Sequence, residues 1–158
     1  MIKSMRPLAS AGSDLRAIPI WVPTPYRQDD VIWGIRLEGS DNLAIIRDVP
    51  LYAEDISYGD IVEIEKDRNK IIYKKHCEIS DWSSFVAISK DKISAAEIGS
   101  FLISFEGGEG LAARFSIPAN NPILGISVKS TYKKNIEDLL ELWDQNGLIT
   151  EYTEMTQR

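Results

Sequence analysis

The chain has 158 residues, 44% of them hydrophobic and 27% charged, with one cysteine and a formal net charge of -6. A chain of this length forms one domain or two tightly packed lobes and buries about 68–70% of its unfolded surface, so it needs neither a metal nor a disulfide to fold. The single Cys77 excludes an internal disulfide, and the acidic pI of about 4.9 disfavours nucleic-acid binding. A basic protein partner is the electrostatic complement we expect.

The first residues do not predict a signal peptide. Lys3 and Arg6 supply a basic start, but Asp14 and Arg16 interrupt the apolar segment of about 7–15 residues that such a peptide requires. No apolar run approaches the roughly 18 residues that cross a bilayer. We therefore expect a cytoplasmic protein that does not bind a membrane.

Residues 1–30 are predicted to form an extended N-terminal segment. They contain several prolines and show no sustained periodicity, which is typical of chain that lies extended against a core. The second half of the segment is too apolar for a free tail, because it carries Ile18, Ile20, Trp21 and Val22. We expect these side chains to dock on the domain, with a partner-binding surface as the alternative.

The segment from residue 31 to residue 90 is predicted to be a β-rich half. Apolar runs separated by turn residues indicate five short strands, at residues 31–37, 43–47, 61–65, 71–76 and 85–88. Five short strands with tight turns suggest a small bent sheet that resembles a barrel.

Residues 91–158 are predicted to be a helix and strand half. A first helix is indicated by an apolar stripe at Ile98, Phe101, Leu102 and Phe105. Ser94 and Glu97 are predicted to form a capping box at its start, and Gly107 is the glycine expected at its end. A strand at residues 111–117 follows. A second helix has the i,i+4 pairs Lys133–Glu137 and Lys134–Asp138, and a strand at residues 148–155 ends the chain.

The predicted fold class is therefore α+β. A five-stranded, barrel-like half is followed by a β-α-β-α-β layer with two helices on a sheet. Together the two halves make one compact domain over residues 31–158.

Five short segments carry a resemblance to a known family. They are Ile32-Trp33, residues 48–53, residues 59–62, residues 80–84 and residues 111–118. In order and spacing they resemble the bacterial domain-of-unknown-function family 4265, which shares a tryptophan-led first strand, an N-hydrophobe-P-F/Y segment, a G-D-V-V segment, an S-G-H-S-T turn and an apolar A-x-x-V-P strand. The resemblance covers about residues 31–155.

One departure from the family pattern matters for function. The glycine–histidine pair of the family's turn is Asp81-Trp82 in this chain, so no catalytic role is carried over. Some members of the family lie in toxin–immunity neighbourhoods of bacteria. The resemblance therefore implies an immunity-type protein, of the kind found in toxin–antitoxin or contact-dependent inhibition systems.

No residue cluster predicts an active site. His76 and Cys77 are adjacent on a predicted strand and point to opposite faces, so the imidazole does not activate the thiol. One histidine and one cysteine do not make a closed zinc site, and the chain has no calcium-loop motif. The glycine-rich residues 106–110 follow a helix and precede a strand, which is the wrong order for a phosphate loop. We expect no cofactor, no metal and no enzyme activity.

The densest acidic region is the candidate partner-binding site. Glu63 and Glu65 share one strand face by the two-residue period, and further carboxylates sit in the flanking turns. Trp82 lies in a polar turn and is expected to be exposed, as an aromatic anchor for a partner. The complete set is Glu54, Asp55, Asp60, Glu63, Glu65, Asp67 and Trp82. A merely solvated sheet face is the alternative interpretation.

Two functional hypotheses follow. The first is an acidic binding protein that neutralises a basic partner, in its specific form an immunity protein that blocks a nuclease-type toxin domain. The second is a small-ligand-binding protein or an enzyme with a cleft between the β half and the helical half. An acidic patch facing outward favours the first, whereas carboxylates lining a closed cavity favour the second.

Overall fold

The fold is α+β, as the sequence predicts. The computed structural model describes residues 17–25, 29–105, 108–116, 121–156 and 158. Within these residues the chain forms a closed five-stranded barrel and a separate four-stranded sheet with two helices.

The barrel comprises β1 to β5, which follow one another in chain order. Their bounds are Ala17–Val22, Asp30–Arg36, Leu43–Ile46, Ile61–Asp67 and Lys70–Glu78. Each strand pairs antiparallel with the next, and β1 closes the barrel by pairing parallel with β5. Alternate side chains fill the interior, among them Ile20, Ile32 and Ile46.

The membership of the barrel differs from the prediction. The strand that completes the five is β1, which lies inside the predicted N-terminal segment. It carries Ile20 and Val22 into the core of the barrel. The assignment of residues 85–88 to the barrel is wrong, because they belong to β6 of the second sheet. The earlier part of the predicted segment, residues 1–16, lies outside the described residues.

The second sheet contains β6 to β9 in the order β7-β8-β6-β9, with every neighbouring pair antiparallel. The strands are Trp82–Ser89, Leu111–Phe115, Ile123–Lys129 and Ile149–Glu154. Helix α1, Lys92–Ile103, follows β6, and helix α2, Lys133–Gln145, follows β8. The unit is therefore β-α-β-β-α-β, the split βαβ arrangement, and the predicted β-α-β-α-β layer lacked β8.

The sheet lies between the helices and the barrel. On β8, Leu124, Ile126 and Val128 face the main hydrophobic cluster, which also contains buried residues of α1 and α2. The alternate residues of β8 face the barrel, because a Cβ on Gly125 would lie 2.8 Å from the Pro50 carbonyl oxygen. The molecule is thus layered as helices, sheet and barrel.

The helix ends differ in detail from the prediction. The N-cap of α1 is Asp91, whose side chain accepts a hydrogen bond from the Ser94 backbone N–H, so the predicted capping box of Ser94 with Glu97 is wrong. The expected terminal Gly107 lies outside the described residues. Over the described part of the chain, neither helix has the length and apolar character needed to cross a membrane.

Candidate functional site

Two of the seven predicted partner-binding residues are buried. Asp60 has no exposed surface, and Trp82 is 7% exposed. The expectation that Trp82 is exposed is wrong, because it opens β6 at the junction between the barrel and the sheet. There its ring packs on Tyr58, with the ring centroids 4.5 Å apart. Neither side chain offers a surface that a partner could contact.

The acidic strand face is balanced by its neighbouring strand. Lys74 Nζ lies 2.8 Å from Glu65 Oε2, and Lys75 Nζ lies 3.9 Å from Glu63 Oε2. The hairpin of β4 and β5 carries the carboxylates of Glu63, Glu65, Asp67 and Glu78 and the cations of Lys66, Arg68, Lys70, Lys74 and Lys75. Cations outnumber carboxylates, so the hairpin does not form the acidic patch that its first strand predicts.

Glu54 and Asp55 lie in an exposed turn that closes against the C-terminal part of the chain. The Asp55 N–H donates to the Met155 carbonyl oxygen at 2.9 Å, and the Asp55 carbonyl oxygen accepts a hydrogen bond from Arg158 Nη2 at 3.1 Å. Asp55 holds a positive φ of 58°, a conformation that aspartate tolerates better than most residues. The backbone of this turn is therefore fixed, while the two carboxylates face solvent.

The most densely bonded polar group near these residues is the Asp60 carboxylate. One oxygen accepts hydrogen bonds from the Ser80 N–H at 2.9 Å and from Arg158 Nη1 at 2.7 Å. The other accepts from the Ser57 N–H at 3.0 Å, from Arg158 Nη2 and from His76 Nε2. Strand β5, the turn before β4, the segment before β6 and Arg158 thus converge on one buried carboxylate.

The hydrogen bonds set the charge of Asp60. Burial alone would raise its pKa, but the bonds from His76, Arg158, Ser80 and Ser57 outweigh burial and hold the pKa at about 2, below its usual 3.8. Asp60 therefore carries a full negative charge at neutral pH, opposite the Arg158 guanidinium.

Tyr73 extends the network toward the barrel. Its hydroxyl lies 2.9 Å from His76 Nδ1, while His76 Nε2 lies 2.9 Å from Asp60 Oδ2. The order tyrosine, histidine, aspartate matches a nucleophile–base–orienter chain. However, burial and the nearby Asp55 and Asp60 raise the Tyr73 pKa, so the phenol stays protonated at neutral pH and is a poor nucleophile.

Sequence reasoning missed the roles of Tyr73, His76 and Arg158. Residues 73 and 76 are three positions apart, so in a regular strand their side chains would point to opposite faces of the sheet. The register shifts by one residue between Glu63 and Ile64, and this bulge makes the contact between the two side chains possible. Cys77 is exposed, and both ring nitrogens of His76 have other partners, so no thiol–imidazole pair forms.

The junction between the barrel and the sheet is filled by small polar side chains. The Ser84 hydroxyl lies 2.7 Å from that of Ser57 and 2.8 Å from that of Ser127. The Ser84 N–H donates to the Thr156 hydroxyl at 2.9 Å. All four residues are fully buried. The Gly125 backbone closes the same junction against the barrel, so these residues leave no cleft where they meet.

A second buried carboxylate shapes the segment that supports the family resemblance. Asp30 Oδ2 accepts hydrogen bonds from the backbone N–H groups of Leu51, Tyr52 and Ala53 at 2.8–3.1 Å. Arg114 Nη1 lies 3.6 Å from the other oxygen. Asp30 therefore holds residues 51–53 in place, which is a structural role.

A further group of acidic residues lies on α2, where Glu141 and Asp144 are exposed and Glu137 is half-buried. Glu137, Glu141 and Asp144 are spaced i, i+4 and i+7 and so follow one side of the helix. Within the described part of the chain these three carboxylates take part in no ion pair. Lys134 pairs with Asp138 as predicted, at 2.9 Å, whereas Lys133 reaches Glu154 of β9 at 2.6 Å and not the predicted Glu137. We call Glu137, Glu141 and Asp144 the α2 acidic row.

The described residues contain no group of three or more histidine, cysteine or acidic side chains placed to hold a metal ion. No family model and no curated protein matches the chain. The fold is similar to that of a hypothetical protein from Neisseria gonorrhoeae with a known crystal structure, with a TM-score of 0.60, 16% identity, and coverage of 87% of this chain and 93% of that chain. At this identity the similarity shows a common fold alone, and the resemblance to family 4265 stays a prediction.

Proposed function

We propose that the protein is an acidic binding protein that docks a basic partner protein on α2 and acts in the cytoplasm. The observation that carries the proposal is the α2 acidic row, Glu137, Glu141 and Asp144, which forms no ion pair among the described residues, although Lys134 attracts Glu137 and Glu141 at longer range. Complementary charge on a partner would speed association and fix its orientation. The predicted hairpin site carries its own lysines and is a weaker candidate.

The role we propose for this binding is immunity, the neutralisation of a nuclease-type toxin domain. The support is the family resemblance together with the net charge of -6. A nuclease active site is cationic because it holds a phosphate backbone, so an acidic helix can occupy it. Blocking of this kind requires no reactive group on the binding protein.

The alternative is a small-ligand-binding protein or an enzyme with a cleft between the two halves. The junction is the place where such a cleft would open, and Ser57, Ser84, Ser127 and the Gly125 backbone fill it. No contact in this part of the molecule favours the alternative over docking.

A peptide titration tests the docking surface. The probe is a lysine-rich helical peptide added to the 15N-labelled full-length chain, with amide shifts followed by NMR. We expect shifts to concentrate on α2, because the carboxylates of the α2 acidic row form no ion pair within the part of the chain that the structure describes. We expect the apparent affinity to fall as salt is raised through the range where the Debye length shortens from about 30 Å to about 8 Å.

Charge-reversal variants provide the control. Glu137→Lys with Glu141→Lys should weaken peptide binding at least about tenfold, which is a loss of about 1.4 kcal/mol. The matched pair Glu63→Lys with Glu65→Lys changes charge equally on the hairpin and should leave binding within about twofold. Shifts confined to the hairpin, or no salt-dependent shifts at all, would refute the proposal. The immunity role is tested separately, by cloning the genes that flank this one and asking whether co-expression of this chain restores growth to cells that a flanking gene product poisons; flanking products that are all harmless, or toxicity that co-expression leaves unchanged, would refute the role.

A further inference from the structure

Helix α1 carries large apolar side chains on the half that lies at the protein surface as well as on the half that faces the core. Among its residues, Lys92 and Glu97 alone carry charge. Its inner face packs Ala95, Ile98 and Leu102 into the core. On the outer face, Ile93 is 80% exposed and Ile103 is 78% exposed. Large apolar side chains on a helix are normally covered, and no residue in the described part of the chain covers these two.

The outer face has a symmetric order of side chains. Ile93, Ala96, Ser100 and Ile103 are spaced i, i+3, i+7 and i+10 and therefore lie along one stripe. We call these four residues the α1 stripe. Large side chains stand at both ends of the stripe and small side chains stand between them, so the order of sizes is the same in both chain directions. The midpoint of the stripe is level with residue 98. A twofold axis at that centre would place Ile93 of one copy against Ile103 of the other.

We propose that the α1 stripe is a homodimer interface, in which α1 pairs antiparallel with α1 of a second copy about a twofold axis. A twofold interface brings the same patch of both subunits together, so it requires a patch that is complementary to itself. The stripe meets that requirement. The small side chains of Ala96 and Ser100 at its centre let the two helix axes approach to the 8–10 Å of close helix packing.

Charge also favours a second copy on this face. Each copy carries a net charge of -6, so most surfaces of two copies repel each other. The α1 stripe carries no charge, and Glu97 is the single carboxylate of the helix. The α2 acidic row belongs to the other helix, so dimerisation and partner docking use different surfaces.

The interface is small, and the dimer is therefore weak. A helix of this length is about 18 Å long. It covers less than the roughly 800 Å² per partner of a standard interface. We expect a dimer that forms in the micromolar range and dissociates on dilution.

Sedimentation equilibrium of the full-length chain tests the proposal. The weight-average mass should rise with concentration from that of one chain, 17.8 kDa, toward that of two. Ile93→Glu and Ile103→Glu should each weaken association at least about tenfold, and by similar factors, because the two residues face each other in the dimer. Ile79→Glu is the matched control, since Ile79 is 60% exposed but lies outside α1. A monomer at all concentrations, or a dimer that both α1 variants leave unchanged, overturns the proposal.

Substitution of Glu97 is expected to strengthen the dimer, the opposite of the effect expected for Ile93→Glu and Ile103→Glu. The twofold axis brings the two Glu97 side chains to the same side of the interface, so they repel each other. Glu97→Gln should therefore strengthen association about twofold to fivefold, and added salt should also strengthen it. A variant that merely damaged the fold would not produce a tighter dimer. Weaker association of Glu97→Gln, or loss of the dimer in salt, overturns the antiparallel arrangement.

Disulfide trapping distinguishes antiparallel from parallel pairing. The background is Cys77→Ser, because Cys77 is exposed. An equimolar mixture of Ile93→Cys and Ile103→Cys chains should form the mixed dimer under mild oxidation. Each variant alone should not, because the two copies of residue 93 are about 15 Å apart along the helix axis, beyond the reach of a disulfide. Cross-linking of each variant with itself and not in the mixture supports parallel pairing and overturns the proposal.

Discussion

Asp60 shows how a residue predicted to face a partner instead holds the molecule together. A carboxylate buried without partners would take up a proton or destabilise the fold. Five donors surround this one, including both terminal nitrogens of Arg158 and the imidazole of His76. Because these donors come from separate segments of the chain, the cost of burying the charge is offset only when all of the segments are in place. Asp60 therefore favours one arrangement of barrel and sheet over others.

The lowered pKa of Asp60 predicts a loss of stability in acid. A carboxyl group whose pKa falls from 3.8 to about 2 on folding stabilises the protein fully above the higher value. This contribution, about 2 kcal/mol, is lost as the pH falls from about 4 to about 2. Asp60→Asn should remove this part of the pH dependence. It should also destabilise the protein at pH 7 by about 3–5 kcal/mol, because the Arg158 guanidinium loses its buried partner. Urea unfolding at a series of pH values measures both effects.

Two further variants separate the buried charge from general effects of mutation. Asp67→Asn makes the same chemical change at an exposed position and should alter stability by less than about 0.5 kcal/mol. The double variant Asp60→Asn with Arg158→Ala should lose less stability than the two single losses combined, because both disrupt one network. An Asp60→Asn protein within about 1 kcal/mol of the unmodified chain, with the same acid dependence, would contradict this account.

Strands whose apolar residues alternate regularly with polar ones can be predicted from the sequence. Strands whose pattern is interrupted, and which depend on pairing with strands distant in the chain, cannot. Residues 61–65 and 71–76 were recognised as strands, and they form most of β4 and β5. Strand β1 was missed because Pro19 within it and Pro23 directly after it suppress a strand pattern, whereas the barrel supplies partners on both of its edges. Strand β8 was missed because it is buried on both faces and interrupted by Gly125, so it shows no alternation.

The charged surface could not be predicted from one strand, for a related reason. Glu63 and Glu65 are acidic neighbours in the sequence, but strand pairing brings Lys75 and Lys74 beside them. The contact of Tyr73 with His76 depends on a register shift that neither strand reveals by itself. Residue types indicate which charges exist, and the pairing of strands decides which of them remain unpaired.

Substitution of Gly125 in β8 tests how closely the sheet packs against the barrel. A Cβ at this position would lie 2.8 Å from the Pro50 carbonyl oxygen and 2.9 Å from side-chain atoms of Val49 and Leu51. The closest of these is a backbone atom, so the strand and the barrel must move apart. Gly125→Ala should therefore destabilise the protein by about 1–3 kcal/mol, measured by urea unfolding.

The matched control for this glycine is Gly108, where a Cβ would meet nothing within 4 Å. Gly108→Ala should change stability by less than about 0.5 kcal/mol. If both substitutions have the same effect, close packing at the junction is not what Gly125 provides.

At the scale of the whole molecule, the barrel and the sheet share the core that joins them. Tyr58 and Trp82 pack with Val49 and Ala112 in a cluster with members from both parts. The serine hydrogen bonds cross the same boundary. Unfolding of either part would expose the apolar side chains of this cluster to water and would break the hydrogen bonds that cross the boundary, so each part stabilises the other. The two assemblies are therefore coupled in stability as well as in position.

This coupling predicts a single unfolding transition, although the chain has two sheets. Trp33 of β2 reports on the barrel and Trp143 of α2 reports on the helix layer. Variants that retain one of these tryptophans, with the other three changed to phenylalanine, should each unfold in urea with a fluorescence midpoint that coincides with the midpoint of the circular dichroism of the same variant. The free energy of unfolding will differ between the two variants, so agreement is judged within each variant. Gly125→Ala in either background should lower both midpoints together, because the junction stabilises both parts. A barrel signal that separates from the circular dichroism by more than about 0.5 M urea would show that the barrel unfolds independently.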